Sequence, residues 1–274
     1  MPGTIRLWFV RGVLALIVAL YGMIGWLFNA DPAGTMVAFG IGVEGAIGLT
    51  TVRIGYGMGF WTLALTALYG LIRPRHAYAC LSLLTFMLAC VVATRLTGFL
   101  TDGVDAKQIT ELRDEGLSFI VFVAAWLAYP RARLPATVAP PPPTWMAKIA
   151  FGLLGLGYLA YGVALWVAPE LVESRGMILR EAVSLTTVRT GFGAHYIGLG
   201  LIAAYGLARS GQRLTCFWFV AVWTVLIMVG RLAGLALDGI DDLQLVDTGV
   251  DAVTTVIALG GLWAARRGIT GSSA

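Results

Sequence analysis

Apolar residues run through this chain in long uninterrupted stretches instead of alternating with polar ones. There are 19 uncharged residues between Arg11 and Asp31, and another 19 between Arg53 and Arg73. A half-buried strand would alternate, and a surface helix would keep a polar face. Runs of about 18 or more residues without charge predict membrane-crossing helices, because about 20 residues at 1.5 Å rise span about 30 Å of hydrocarbon. The pattern predicts eight of them, over about 7–28, 53–72, 77–99, 112–130, 146–167, 189–208, 214–236 and 248–265. The expected fold class is an all-α integral membrane protein with eight transmembrane helices, arranged as two homologous four-helix bundles in parallel orientation.

The homology of the halves is read from an internal repeat. Leu49-Thr-Thr-Val-Arg53-Ile-Gly-Tyr-Gly57 reappears as Leu185-Thr-Thr-Val-Arg189-Thr-Gly-Phe-Gly193, a shift of 136 residues. At the same shift Arg95-Leu-Thr-Gly98 meets Arg231-Leu-Ala-Gly234, and Asp102-Gly-Val-Asp105 meets Asp238-Gly-Ile-Asp241. Upstream the shift becomes 140, where Tyr21-Gly22 and Trp26 meet Tyr161-Gly162 and Trp166. This predicts a tandem duplication, with residues 1–130 as the first repeat and 145–267 as the second. Residues 131–144 form the linker, where four consecutive prolines, Pro140 to Pro143, favour a stiff polyproline II spacer. Residues 268–274 are left as a C-terminal tail.

Residues 35–52 hold one charge, Glu44, but five glycines in or beside the segment, Gly34, Gly40, Gly42, Gly45 and Gly48, weaken a helix there. Their counterpart around 169–188 carries Glu170, Glu173, Arg175, Arg180 and Glu181. Both segments are therefore expected outside the bilayer core, as capping loops or interfacial helices. The N-terminus, with Arg6 and Arg11 before an apolar run, imitates a signal peptide, but the run is long and has a later counterpart. A retained first helix is expected.

Composition agrees with the membrane reading. The chain is 58% hydrophobic and 12% charged, where a soluble domain carries about a quarter charged residues. With eight spans, one side receives eleven basic residues and no acid, and the other receives all 15 acids with eight basic residues, +11 against −7. The positive-inside rule then places both termini in the cytoplasm. The expected partners are the bilayer and other membrane subunits. No basic cluster with interleaved aromatics points to nucleic acid. Cys80, Cys90 and Cys216 lie inside apolar runs without CxxC spacing, so they read as small packing residues rather than a disulfide or metal framework.

The duplicated polar residues gather at the outer helix ends. Arg95 and Arg231 lie late in the third helix of each half; Glu111 and Glu115 match Asp247 and Asp251, spaced i,i+4 on one helical face. Only 15 uncharged residues separate Glu115 from Arg131 and 14 separate Asp251 from Arg266, so Glu115 and Asp251 are expected to enter the membrane. A charge at the bilayer centre costs roughly 2.5 kcal/mol or more, which makes pairing the default. Arg95 is expected to pair with Glu115 or Asp102, and Arg231 with Asp251 or Asp238. Arg53 and Arg189 either join them or face an anionic headgroup.

Three readings of this cluster compete: an ion-pair lock within each half, a pocket for an anion, lipid headgroup or quinone head, and snorkelling to the interface. Gly55, Gly57 and Gly59, matched by Gly191 and Gly193, read as close helix packing. His195 replaces Gly59 of the first half and lies about 9 Å into its helix at 1.5 Å per residue. One intramembrane histidine can hold a metal, relay protons or hydrogen-bond a neighbour; no second one lies in a span, which excludes a bis-histidine haem. A hydrogen-bonded structural role is the expectation. No nucleophile–base pair or metal-ligand set is legible, so no catalytic residue and no metal are assigned.

The Arg53-Ile-Gly-Tyr-Gly and Arg189-Thr-Gly-Phe-Gly openings, with Arg95 and Arg231 followed by Asp102-Gly103 and Asp238-Gly239, resemble the DoxX-like group of small four-helix bacterial membrane proteins, in one of its domain-of-unknown-function branches. The resemblance covers nearly the whole chain, twice. It implies a four-helix bundle per half in a bacterial inner membrane. Some relatives are linked to quinone or thiol redox work, for which this chain lacks a cysteine pair. The leading expectation is a non-enzymatic accessory or scaffolding subunit holding a lipid or quinone. A quinone-linked oxidoreductase is the alternative, and a small-anion transporter comes last.

Overall fold

The computed structural model describes residues 3–130 and 144–270. The proline-rich linker expected at 131–144 lies outside the described residues up to Thr144. The Thr144 hydroxyl accepts a hydrogen bond from the Ala147 amide and caps the next helix.

Helix α1 (Gly3–Ala30) leads into a short α2 (Pro32–Val37), opened by the Asp31 carboxylate accepting from the Gly34 amide. Strand β1 (Ile41–Val43) follows. Helix α3 (Gly45–Val52) continues through a π-helical turn, Arg53–Met58, into α4 (Gly59–Ile72). Helices α5 (Ala77–Thr101) and α6 (Ala106–Ala128) complete the first half. The second half has α7 (Trp145–Val167), strand β2 (Met177–Leu179) and α8 (Ala182–Val188). A second π-turn, Arg189–Ala194, leads into α9 (His195–Ala208), followed by α10 (Arg213–Leu237) and α11 (Asp242–Thr270). The strands, the π-turns, α4 with α9, and α5 with α10 all recur at the offset of 136.

Several helices start earlier than the sequence predicts, the second of each half by most. The second helix of each half begins at Gly45 and Ala182, eight and seven residues before Arg53 and Arg189. Those arginines therefore sit inside a helical rod and not at its mouth. The glycines read as helix-weakening act mainly in the turns: Gly40 and Gly45 adopt positive φ (66° and 65°) on either side of β1. The extra residue of each π-turn rotates everything after it by roughly 100° relative to an α-helix. The last helix continues to Thr270, three residues past the expected end of the second repeat at 267.

Among the described residues, six helices are long and apolar enough to cross a membrane: Thr4–Ala30, Pro74–Thr101, Trp145–Val167, Ala182–Ala208, Arg213–Leu237 and Asp242–Arg267. The outer faces of α1, α6, α7 and α11 expose Trp8, Leu16, Ile120, Leu156, Val253 and Val256, an apolar surface that a soluble monomer does not carry. Apolar outside, paired polar groups inside: this is a multi-pass membrane protein.

The halves do not form separate bundles. Helix α5 packs on α8 and α9, and α10 packs on α3 and α4, so α4, α5, α9 and α10 make a central group. One core joins Leu14, Leu84 and Met87 of the first half to Leu199, Phe217 and Phe219 of the second. The π-turns cross at the centre, where the Tyr56 and Phe192 rings meet edge to face at 5.1 Å. Each ring lies over the other turn's glycine, Phe192 on Gly55 and Tyr56 on Gly191, space that a Cβ would occupy. At one end β1 and β2 pair antiparallel, Ile41 opposite Leu179, and tie the halves again.

Candidate functional site

The end of the bundle that carries β1 and β2 holds the duplicated polar residues, and the structure sorts them into two layers. In the first layer the halves exchange partners. Arg53 grips Asp238 through Nε (3.0 Å) and Nη2 (2.9 Å), and Arg189 grips Asp102 through Nε and Nη2 (3.1 Å each). Both aspartates are nearly inaccessible, 3% and 2% exposed. Arg189 also donates to the Trp166 carbonyl.

Each aspartate accepts a further bond from a threonine of the opposite half, Thr50 to Asp238 (3.0 Å) and Thr186 to Asp102 (2.8 Å). Gln244 and Gln108 in turn donate to those hydroxyls, at 2.7 and 2.8 Å. Gln108 is placed by a capping box with Asp105 at the start of α6. A buried ion pair stabilises only when its remaining hydrogen-bonding groups are satisfied, and these threonines and glutamines supply that. They recur at the shift of 136, a signal in the sequence to which no role was given.

The second layer pairs within each half. Arg95 donates to Glu115 (Nε to Oε2, 3.0 Å) and Arg231 to Asp251 (Nε to Oδ2, 2.8 Å). Arg231 also lies 3.5 Å from Asp247, which pairs with Arg175. Asp102 and Asp238, the other expected partners, are taken by the exchanged arginines. Arg95 is 3% exposed, and its Nη1, like that of Arg231, is buried with no acceptor.

Beside Arg95 lies a cavity of about 460 Å³, within the range of small-molecule sites. Its walls are Tyr21, Phe28, Phe39, Tyr56 and Phe60 on one side and Leu84, Met87 and Val91 of α5 on another. Glu111, Asp114 and Glu115 line its polar rim, and Thr187, Thr190 and His195 enter from the second half. Thr187 is 4% exposed, and its hydroxyl has no partner. The His195 Nδ1 donates to the Thr190 carbonyl at 3.1 Å, so the neutral ring carries its proton there and leaves Nε2 as an acceptor. The ring also stacks on Trp223 at 5.6 Å.

Of the nine site residues expected from sequence, the structure thus brings Arg95, Glu115 and His195 to the cavity. Arg53, Asp102, Arg189 and Asp238 form the exchanged locks, and Arg231 and Asp251 pair in the second half. The aromatic wall was missed, because scattered aromatics in apolar runs have no distinguishing pattern. Among the described residues no group of three or more His, Cys, Asp or Glu side chains is placed to hold a metal ion. Cys80 and Cys216 are buried, and all three cysteines are free thiols.

No protein-family model, no curated protein and no solved structure matches this chain.

Proposed function

We propose that the protein is a non-enzymatic membrane subunit of accessory or scaffolding type that holds a neutral amphiphile, a lipid or a quinone, in the cavity beside Arg95. In this reading the chain is a tandem duplication of a DoxX-like four-helix unit. It crosses a bacterial inner membrane eight times, with both termini cytoplasmic and the polar layers near the outer face. The six apolar helices and the constant offset between elements support that arrangement.

The observation that carries the ligand reading is the buried, unpaired Arg95 Nη1 beside a cavity with an apolar body. An unsatisfied buried donor on a charged group is unfavourable by more than the roughly 1–3 kcal/mol of a neutral one. A ligand oxygen would remove that penalty. Glu111, Asp114 and Glu115 at the rim repel an anionic head, so an uncharged head with acceptor oxygens fits better and a small-anion transporter fits worse.

The test is purification in native lipid particles followed by mass spectrometry of whatever small molecules are retained. One neutral amphiphile per chain, depleted in Arg95→Gln, is expected. A chain that retains none would overturn the reading. A quinone-linked oxidoreductase draws support from one feature, the His195 Nε2 available as a proton acceptor beside the cavity. Quinone reduction that collapses in His195→Asn would favour that second reading.

A further inference from the structure

Below the polar rim, a second cavity of about 180 Å³ lies between α1 and α6. Val13, Leu16, Ile17, Leu117, Val121 and Phe122 line it, and Leu20, Tyr21 and Ser118 belong to both cavities, so the two spaces adjoin across those three side chains. Ser118 and the phenol of Tyr21 carry its only side-chain polar atoms. Leu16 and Leu117 are 58% and 57% exposed, so the groove opens on the lateral, apolar surface of the molecule.

The second half packs differently at the equivalent place. Leu20, Ile24 and Phe28 correspond to Ala160, Ala164 and Ala168 at the shift of 140, and α7 lies along α11 more extensively than α1 lies along α6. Gly162 of α7 packs on the α9 backbone, with a Cβ there falling 2.5 Å from the Ile197 nitrogen, whereas its counterpart Gly22 has nothing within 4 Å. Trp223 stands where the first half has Met87. Tyr158 bonds Thr224 at 2.8 Å and stacks on Tyr196. The two places thus differ in side-chain size along the first helix of each half and in how far that helix follows the fourth.

We infer that cavity and groove are one lateral site, entered from the bilayer between α1 and α6, for a neutral single-chain lipid. Its chain lies in the groove and its oxygen-bearing head lies beside Arg95. The inference rests on the ligand reading above and adds to it the chain, the route of entry and a stoichiometry of one. The groove has the width left between two helices, which suits one linear chain. Moving that chain out of the bilayer exchanges one apolar surround for another, so the head contacts set the affinity and the groove sets access.

The test uses the full chain in phosphatidylcholine nanodiscs containing monoolein, with bound lipid counted by native mass spectrometry. Wild type and Val256→Trp, on the exposed face of α11, should each hold one monoolein. Val121→Trp, and independently Leu117→Trp, should reduce occupancy at least tenfold while melting as wild type does. If both groove variants bind as wild type while Ser118→Trp does not, the groove inference is overturned and the cavity reading stands. If wild type takes up none, or Ser118→Trp binds normally, the single-chain lipid inference is overturned, while the cavity reading is decided separately by what the chain retains from native lipid particles.

Discussion

Replacing Asp238 by Asn removes one negative charge and almost no volume, which makes it the sharpest probe of the exchanged locks. Asp238 accepts from Arg53 Nε and Nη2 and from Thr50, and it is 3% exposed beside an arginine that is 11% exposed. Without the carboxylate, the Arg53 guanidinium stays buried with no counter-charge. Breaking a buried pair from one side costs about 3–5 kcal/mol, roughly a 150- to 4,000-fold shift in a folding equilibrium at 1.4 kcal/mol per decade. The assay is reversible unfolding in mixed micelles, monitored by tryptophan fluorescence. Arg53→Met with Asp238→Leu should recover most of the loss, because replacing both charges with apolar groups is often neutral. Asp102→Asn should lose a similar amount through Arg189, since that pair repeats the geometry. Arg113 and Asp114 pair in the open, 64% and 60% exposed, and Asp114→Asn should leave the unfolding curve in place. A loss below about 1 kcal/mol in both aspartate variants, the range of solvent-exposed pairs, would refute the claim that buried charge holds the halves together.

Other consequences follow from the same geometry. Gly162→Val should destabilise by about 1–3 kcal/mol, the usual range for overpacking, because the new Cβ meets backbone; Gly22→Val should not, and equal effects would contradict the tight α7–α9 contact. Gln244→Leu leaves Thr50 without the donor that orients its hydroxyl, and about 1–3 kcal/mol should be lost on unfolding; an unchanged midpoint would show the glutamine to be dispensable. Arg95→Gln should deplete the retained amphiphile while Arg231→Gln, in the second half, should not; matching depletion in both would remove the cavity from the explanation.

Much of the polar architecture was legible along the chain. Arg95 was expected with Glu115 or Asp102 and Arg231 with Asp251 or Asp238, and the structure chose Glu115 and Asp251. Arg53 and Arg189 were legible as duplicated residues but not as locks. Their partners lie 185 and 87 residues away in the opposite half, and nothing in a repeat says whether a pair closes within one copy or across two. The early starts of the second helices were hidden for local reasons: glycines in the first half and charges in the second read as loop until tertiary contacts pay for their order.

What the amino-acid sequence determined by itself is the chemistry of each stretch. Long apolar runs require a membrane, because backbone groups in lipid must be satisfied within the helix, and the repeat requires each polar motif twice. What only the tertiary structure decided is which copy meets which. Helices α5 and α10 cross into the opposite half, so charges pair across the repeat and two π-turns share one centre. The same packing made the twins unequal: α7 follows α11 further than α1 follows α6, and it carries alanines where α1 carries leucine, isoleucine and phenylalanine. Whether two helices touch or leave a cavity depends on the summed shapes of both, and no single stretch of sequence contains that sum.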